Sequence, residues 1–557
     1  MELSALPAFD EVNRGDPDAT RRHRLEMTMG GHAFLSVEVD GHRTSLVADK
    51  SDPGRPRWSG PGRAVEVEAE LEASVVRQHW RLRDGYGTSV RLVARGRIDR
   101  PALAEITEVD PPVPTGAATA LTAEDGALRW DAPDLPATGA VSIIGCRVIW
   151  QVVDGDLVGE VTWPDEAGSF TLEATLGPLA PAPVTPQLRA GWTGDRLTDR
   201  ALAYVRGCTA LRVDVDERTI LTDHRMLPLS WTRDAYWQAL ALLAADGPGD
   251  RDRVADHLRW LWRRCERPDG RWVRSHHANG RRKDLAFQAD QQLYPFVELA
   301  DFWRLTGTLP DGVDWSSEVT RAWAAAMDEV DPAIGLIASA ENAADDPAAA
   351  PFIGASQILL WYAAQRMAEV GAAVGLSIDV DALHSTATAV QAAFGARFDA
   401  GGPWPYAVDG HGTRIAYHDA NDLPIVLAPL WGFCDASHPA WRSTMEFAFS
   451  DLNPGWVTGD RSGLGSAHTP GPWTLGDVQA WAHARILEAT EAASAALARL
   501  EEAAFTDGML PEAYGADDDV RVRHWFAWPG AALAALRLLD ATGHLGDRLA
   551  VEAPRHR

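Results

Sequence analysis

Residues 177–191 read "GPLAPAPVTPQLRAG", and the chain has a different texture on either side of them. Proline lacks an N–H and fixes φ, so a run this rich in it sustains neither a helix nor a central strand and reads as a connection. Before it the apolar residues recur with period two, as in "AFLSVEVDG" (33–41), "AVEVEAELEASVVRQHWRLRDG" (64–85) and "AVSIIGCRVIWQVVDGDLVGEVTW" (140–163), with Gly/Asp turns between the runs. That is the pattern of half-buried strands. After it the spacing becomes i, i+3, i+4 and stays helical. The expected organisation is a β-sandwich over residues 1–185, a linker over 186–197 and a helical domain over 198–557.

About a dozen helical segments can be marked in the second part, from "DRALAYVRGCTAL" to "WFAWPGAALAALRLLDATG". The connections between them alternate. Those entering the even-numbered helices run to about 20 residues, whereas most of the others are near the usual 4 to 6. Helices that run up and down in pairs around a ring place all the long loops on one end, where binding and catalysis concentrate on a rigid scaffold. Six such pairs make an (α/α)6 toroid. An α-solenoid would show a self-similar repeat, and none is visible. The fold class is therefore mainly α, an (α/α)6 toroid preceded by an antiparallel β-sandwich.

Composition narrows the function. The net charge of -27 argues against nucleic acid, whose phosphates require Lys/Arg neutralisation. No apolar run reaches the about 18 residues of a membrane span, and the N-terminus lacks a signal-peptide pattern, so a soluble, cytoplasmic protein without a membrane partner is expected. The four cysteines are scattered, at neither disulfide-framework nor zinc spacing. Tryptophan, at 23, outnumbers both Phe (14) and Tyr (8). Most of these rings are core material, but a flat apolar ring with an N–H donor also suits stacking on sugars.

Acids recur in all of the long loops, and aromatic or histidine residues in nearly all. The first ends in "SWTRDAYW", with Trp231, Arg233 and Asp234; the second carries His276 and His277 and ends in Asp290 and Gln291; the third carries Glu341, Asp345 and Asp346. The fourth carries His418, Asp419 and Asn421, the fifth His468 and Trp473, and the sixth Glu512 and Tyr514, followed by Trp525. Taken singly, Asp234, Asp290 and Asp422 read as helix caps. The His276–His277 pair lacks a third ligand at metal spacing, so no metal and no cofactor is expected. Capping does not explain why aromatics accompany acids on the same end of so many helices. A ring of Trp-lined, acidic loops suits a neutral polyhydroxylated substrate, and cleaving a glycosidic bond needs two carboxyl groups, one to protonate the leaving oxygen and one to activate water or attack carbon.

"SWTRDAYW", "QADQQLYP", "HDANDLP", "GLGSAHTP", "MLPEAYGADD" and "HWFAWPGAALAAL" occur in the order of the motifs of glycoside hydrolase family 125, the metal-independent exo-α-mannosidases, which residues 195–545 resemble. More distantly the chain resembles the family 15 glucoamylases. The resemblance implies an exo-acting, inverting α-glycosidase needing no metal and acting on an α-linked oligosaccharide or glycoside, with α-mannoside as the first choice of substrate. It implies Glu512 as general base and Asp345 or Asp346 as general acid, Asp345 being preferred, with Glu341 kept open because glucoamylases use a Glu in this loop. It further implies that Arg233, Asp234 and Asp290 line the terminal-sugar subsite with His468 beside it. The chain departs from the family in its added β domain and in "SAENAADD", which lacks the usual aromatic and basic residues before the acid pair. Alternatives are an α-glucosidase, an inverting phosphorylase on the same plan, a silent carbohydrate-binding protein, and a toroidal epimerase built on a histidine pair.

Overall fold

The computed structural model describes the strands between residues 3 and 176 with a few flanking residues, and then residues 193–209, 212–222, 229–277, 280–504, 510–518, 521–523, 526–543 and 545–551. Among the described residues the first part forms a seven-stranded and a nine-stranded sheet, with antiparallel strand pairs. The alternation read from the sequence is visible along a strand: Val65 and Val67 are buried while Glu66 and Glu68, which alternate with them, are not. "AVEVEAELEASVVRQHWRLRDG" folds back on itself as strands Val65–Glu72 and Val75–Leu82, in a register that pairs Glu72 with Val75. Trp80 stacks on Phe170, 5.8 Å between centroids, in the middle of the larger sheet.

The second part is helical: α1 (Arg196–Cys208), α2 (Thr232–Ala245), α3 (Asp250–Arg259), α4 (Ala289–Thr306), α5 (Trp315–Met327), α6 (Gly354–Val374), α7 (Val380–Phe398), α8 (Leu423–Trp431), α9 (Pro439–Ala448), α10 (Thr474–Ile486), α11 (Thr490–Ala503), α12 (Ala527–Ala541) and the short α13 (Leu545–Leu549). The first helix starts two residues before the expected domain edge. The even-numbered helices form a closed inner ring. Helix α2 packs on α4, α4 on α6, α6 on α8, α8 on α10, α10 on α12, and α12 returns to α2. Outer helices back them: α1 lies on α12, α7 on α6 and α11 on α10, and α9 reaches α8 through the Trp441 indole N–H to the Ile425 carbonyl at 2.9 Å.

The inner helices are buried almost all round. In α6 both Trp361 and Tyr362 are core, and in α2 every residue from Thr232 to Leu243 is buried. The outer helices keep one wet face: in α7 the buried residues are Leu383, Ala387, Val390, Phe394 and Phe398, near-regular steps of three and four. The loops alternate as the ring requires. Residues 209–231, 265–288, 328–353, 399–422, 449–473 and 504–526 enter the inner helices, whereas 246–249, 307–314, 375–379, 432–438 and 487–489 join inner to outer helices. Gly307 and Gly375 end α4 and α6 with φ of 80° and 72°, a left-handed cap that a β-carbon disfavours. Every long loop therefore meets the ring at the N-terminal, positive-dipole end of an inner helix, an end that favours anions.

Much of the tryptophan excess is core. Trp262 meets Trp272, Phe296 and Trp315 edge-on, with centroids 4.8 to 5.6 Å apart, contacts worth about 0.5 to 1.5 kcal/mol each beyond burial. Trp260 and Trp262, two apart, are both fully buried because α3 runs into a π-helical turn at Trp260–Arg264 that shifts the phase. Trp260 instead stacks on His257, 5.4 Å away. The four cysteines are free thiols, and among the described residues no helix is long and apolar enough to cross a membrane.

Candidate active site

On the long-loop end a cleft of about 330 Å³, including its open mouth, is lined from five of the six long loops, within the range of small-molecule sites. Trp231, Arg233 and Asp234 come from the start of α2, Ala343, Ala344 and Asp345 from the third loop, and Asn421 from the fourth. His468 and Trp473 come from the fifth, and Glu512, Arg523, Phe526 and Trp528 from the sixth and the start of α12. Of the expected residues, the cleft thus gathers Trp231, Arg233, Asp234, Asp345, Asn421, His468, Trp473 and Glu512.

Its floor is a buried charge network. The Arg233 guanidinium donates to Asp290 Oδ2 at 2.8 Å and Gln288 Oε1 at 3.1 Å, lies 3.5 Å from Asp234 and 4.0 Å from Asp345, and stacks on the Trp528 ring at 4.6 Å. Asp234 is no cap: the residue before α2 is Trp231, which makes no side-chain cap bond. One Asp234 oxygen accepts from the Thr222 hydroxyl at 3.0 Å, and the other, Oδ2, has no hydrogen-bond donor. Burial pushes the Asp234 carboxyl up to about 7 against the opposing pull of Arg233 and Thr222. Asn421 Oδ1 is also without a donor. Both vacant acceptors belong to residues that line the cleft.

The three third-loop acids part company. Asp345 lines the cleft, with φ of 66°, and accepts from the Trp231 indole N–H at 3.1 Å and from Gln288 Nε2 at 2.5 Å. A non-glycine residue held in the left-handed region costs of order 1 kcal/mol or more, and such strain gathers at functional sites. Glu341 is set behind the cleft wall, where Arg274 bridges it at 3.1 Å and Gln288 at 3.2 Å; burial raises its carboxyl above the ordinary range. Asp346 turns outward toward His468, its Oδ1 3.2 Å from Nδ1. Opposite them Glu512, 1% exposed, accepts from Arg523 Nη1 at 2.8 Å and from the Thr469 hydroxyl at 3.1 Å.

Other residues expected at the substrate are not among those that line the cleft. Asp290 and Gln291 sit one layer below the surface of the cleft: Asp290 holds Arg233, and Gln291 Oε1 accepts from Thr232 and from the Arg233 backbone N–H. His276 is fully buried, its Nε2 3.0 Å from the Glu266 carbonyl, and burial brings its imidazole down to about 4. His277 is buried beside it, its backbone N–H on the Arg281 carbonyl. His418 bonds Gln479 at 2.8 Å, and burial also brings it to about 4. Asp419 accepts from Tyr417, Ser466 and Asn421, which orients Asn421. The Tyr514 hydroxyl points away from the cleft to Asp477, 2.7 Å, itself paired with Arg499. Asp422 precedes α8 without capping it. Trp525 lies outside the described residues.

Thr222, Arg523, Phe526, Trp528 and Gln288 were not singled out from the sequence. Trp528 falls in the quoted "HWFAWPG" segment; Arg523, in "VRVRHW", carries no spacing signal at all. Among the described residues no group of three or more His, Cys, Asp or Glu could hold a metal ion.

Comparison with known proteins follows the same lines. Residues 315–538 match the family model described as metal-independent alpha-mannosidase (GH125). A Streptococcus pneumoniae structure, from a family of metal-independent alpha mannosidases and in a non-productive complex with alpha-1,6-mannobiose, superposes with a TM-score of 0.52 at 19% identity, covering 62% of this chain and 93% of that one. A bacterial glucoamylase complexed with acarbose superposes with a TM-score of 0.61 at 10% identity, covering 96% of this chain and 92% of that one. Among curated proteins no sequence matches. The family match makes the protein a glycosidase; the structural likenesses establish the fold.

Proposed function

Taking as premise a glycosidase that matches the metal-independent α-mannosidases over residues 315–538, we propose that it removes a terminal α-linked mannose from an oligosaccharide or glycoside by inversion, in a catalytic domain over 198–557. A linker over 186–197 and a β-sandwich over 1–185 precede that domain. The observation that carries the reading is that Asp345 and Glu512, from opposite loops of the ring, line one cleft with Trp231, Trp473 and Trp528.

In this reading Asp345 is the general acid. Among the three third-loop acids it alone lines the cleft, and the Trp231 and Gln288 donors fix its orientation for delivering a proton to the glycosidic oxygen. Glu512, salt-bridged to Arg523, takes a proton from the water that attacks the anomeric carbon from the other face. The vacant acceptors Asp234 Oδ2 and Asn421 Oδ1 receive hydroxyl hydrogens of the terminal sugar, and Arg233, neutralised by three acids, sets Asp234 in place rather than acting on substrate. The tryptophans supply flat apolar walls.

A panel of aryl α-glycosides and short α-linked disaccharides, followed by NMR, tests the proposal. The expected first product from an aryl α-mannoside is the β-anomer of mannose, with turnover unchanged by EDTA; net retention, or strict dependence on phosphate, refutes it. A second reading, hydrolysis of α-glucosides, has one specific support: the bacterial glucoamylase matches the fold across both parts of the chain, β domain included. The same panel separates the two.

A further inference from the structure

Three long loops meet at the mouth of the cleft in one run of polar contacts. Asp346 Oδ1 is 3.2 Å from His468 Nδ1, His468 Nε2 is 3.5 Å from Arg523 Nη2, and Arg523 Nη1 donates to Glu512 at 2.8 Å. A guanidinium has donors and no acceptor, so the ring nitrogen facing it must be unprotonated. The proton of a neutral His468 then sits on Nδ1 and is donated to Asp346. Two fixed neighbours thus select one tautomer. The fifth loop reaches Glu512 a second time through Thr469, whose hydroxyl donates to the other carboxylate oxygen at 3.1 Å.

The local backbone gives these contacts a purpose. Glu512 sits beside a hairpin of only two paired residues per strand, Ala513–Tyr514 with Arg521–Val522, and Arg523 leaves it with φ of 45°. Asp346 follows Asp345, at φ of 66°. The regular structure described in these two loops is short: that hairpin in the sixth, and in the third the single bridges that pair Val330 with Ile337 and Glu341 with Pro347.

We propose that Asp346, His468 and Arg523 are positioning residues that latch the third loop to the sixth through the fifth, setting Asp345 and Glu512 at one separation across the cleft. The proposal rests on the reading of those two residues as acid and base. The outer links are part-exposed, with the Asp346 and His468 side chains 36% and 23% accessible. Such pairs contribute little to stability, so their variants fold and the latch is read in function.

Asp346 does not line the cleft, so Asp346→Leu acts through the latch alone. With an aryl α-mannoside, its kcat is expected to fall about 10²-fold, the scale on which a misplacement near 1 Å acts, with KM within about twofold. Asp346→Asn keeps an acceptor for the Nδ1 proton and should recover most of that loss. Nitrogen-15 NMR of the histidine side chains, with His468 assigned by its disappearance in His468→Leu, should show protonated Nδ1 and bare Nε2 in the wild type, and lose that signature in Arg523→Leu. Unchanged kcat in Asp346→Leu, or a proton found on Nε2, overturns the latch. Equal, near-complete loss in Asp346→Asn and Asp346→Leu also overturns it, because Asp346 would then be the proton donor. Glu512→Gln assayed in parallel separates the two levels: full turnover there refutes the base assignment, whereas loss there with wild-type behaviour in Asp346→Leu refutes the latch alone.

Discussion

Replacing Arg233 by Met tests whether the buried charges under the cleft are one interdependent unit. Methionine roughly fills the space over Trp528 but removes the guanidinium. Asp290 then loses its 2.8 Å partner and Asp234 its neighbour at 3.5 Å, in side chains only 10% and 3% exposed. At an effective dielectric near 20, unit charges 4 Å apart attract by about 4 kcal/mol, and desolvation consumes much of that gain. Stranding one partner of a buried pair costs about 3 to 5 kcal/mol, whereas replacing both by apolar groups is often near neutral. Arg233→Met should therefore lose about 3 to 5 kcal/mol, a large part of the about 5 to 15 kcal/mol that holds a typical domain folded. Arg233→Met combined with Asp290→Leu should recover a substantial share of it. Denaturation in guanidinium, monitored by tryptophan fluorescence and far-UV circular dichroism so that non-coincident transitions are seen, measures both variants. If Arg233→Met lies within about 1 kcal/mol of the wild type, or if the double variant is no more stable than the single one, the network is not the interdependent unit described here.

Asp345→Asn and Glu512→Gln should each lower kcat by about 10²- to 10⁴-fold, the usual worth of a general acid or base, while calorimetry still detects binding of the sugar. Trp231→Phe keeps the wall but removes the indole N–H on Asp345, so kcat should fall about tenfold, the equivalent of one hydrogen bond near 1.4 kcal/mol, with KM little changed. Asp234, with a folded-state pKa raised from 3.8 to about 7, binds its proton more tightly folded than unfolded. Its contribution to stability is thus greatest below the unfolded value and falls as pH rises from 3.8 through about 7. Asp234→Asn removes that slope, and melting curves across this window should be flatter than those of the wild type. A β-carbon on Gly471, φ 109°, would lie 2.4 Å from the Tyr514 carbonyl oxygen; Gly471→Ala should shift the hairpin beside Glu512 and cost activity well before it costs helical content in circular dichroism.

The sequence by itself determined the elements and their order. Hydrophobic periodicity is a local property, so the switch from period two to period 3.6 around residues 177–191 separates strands from helices without knowledge of any long-range contact. Alternating loop lengths are equally local, and together with the helix count they imply a ring whose long loops share one end. Which acids would stand on that end was also legible, since Asp345 and Glu512 occupy the loops themselves and Asp234 the first turn of the helix that follows one. Only the tertiary structure decided which side chains face the cleft. Nothing in "SAENAADD" distinguishes Asp345 from Asp346 or Glu341. The difference arises from a left-handed backbone at Asp345 and from donors on Trp231 and Gln288, more than fifty residues away in sequence. In the same way His276, His418 and Tyr514 carry the right chemistry but are claimed by the Glu266 carbonyl, Gln479 and Asp477 in the layer beneath. A buried polar group must find a partner, and which partner it finds is fixed by the packing of the ring, to which a local pattern is blind.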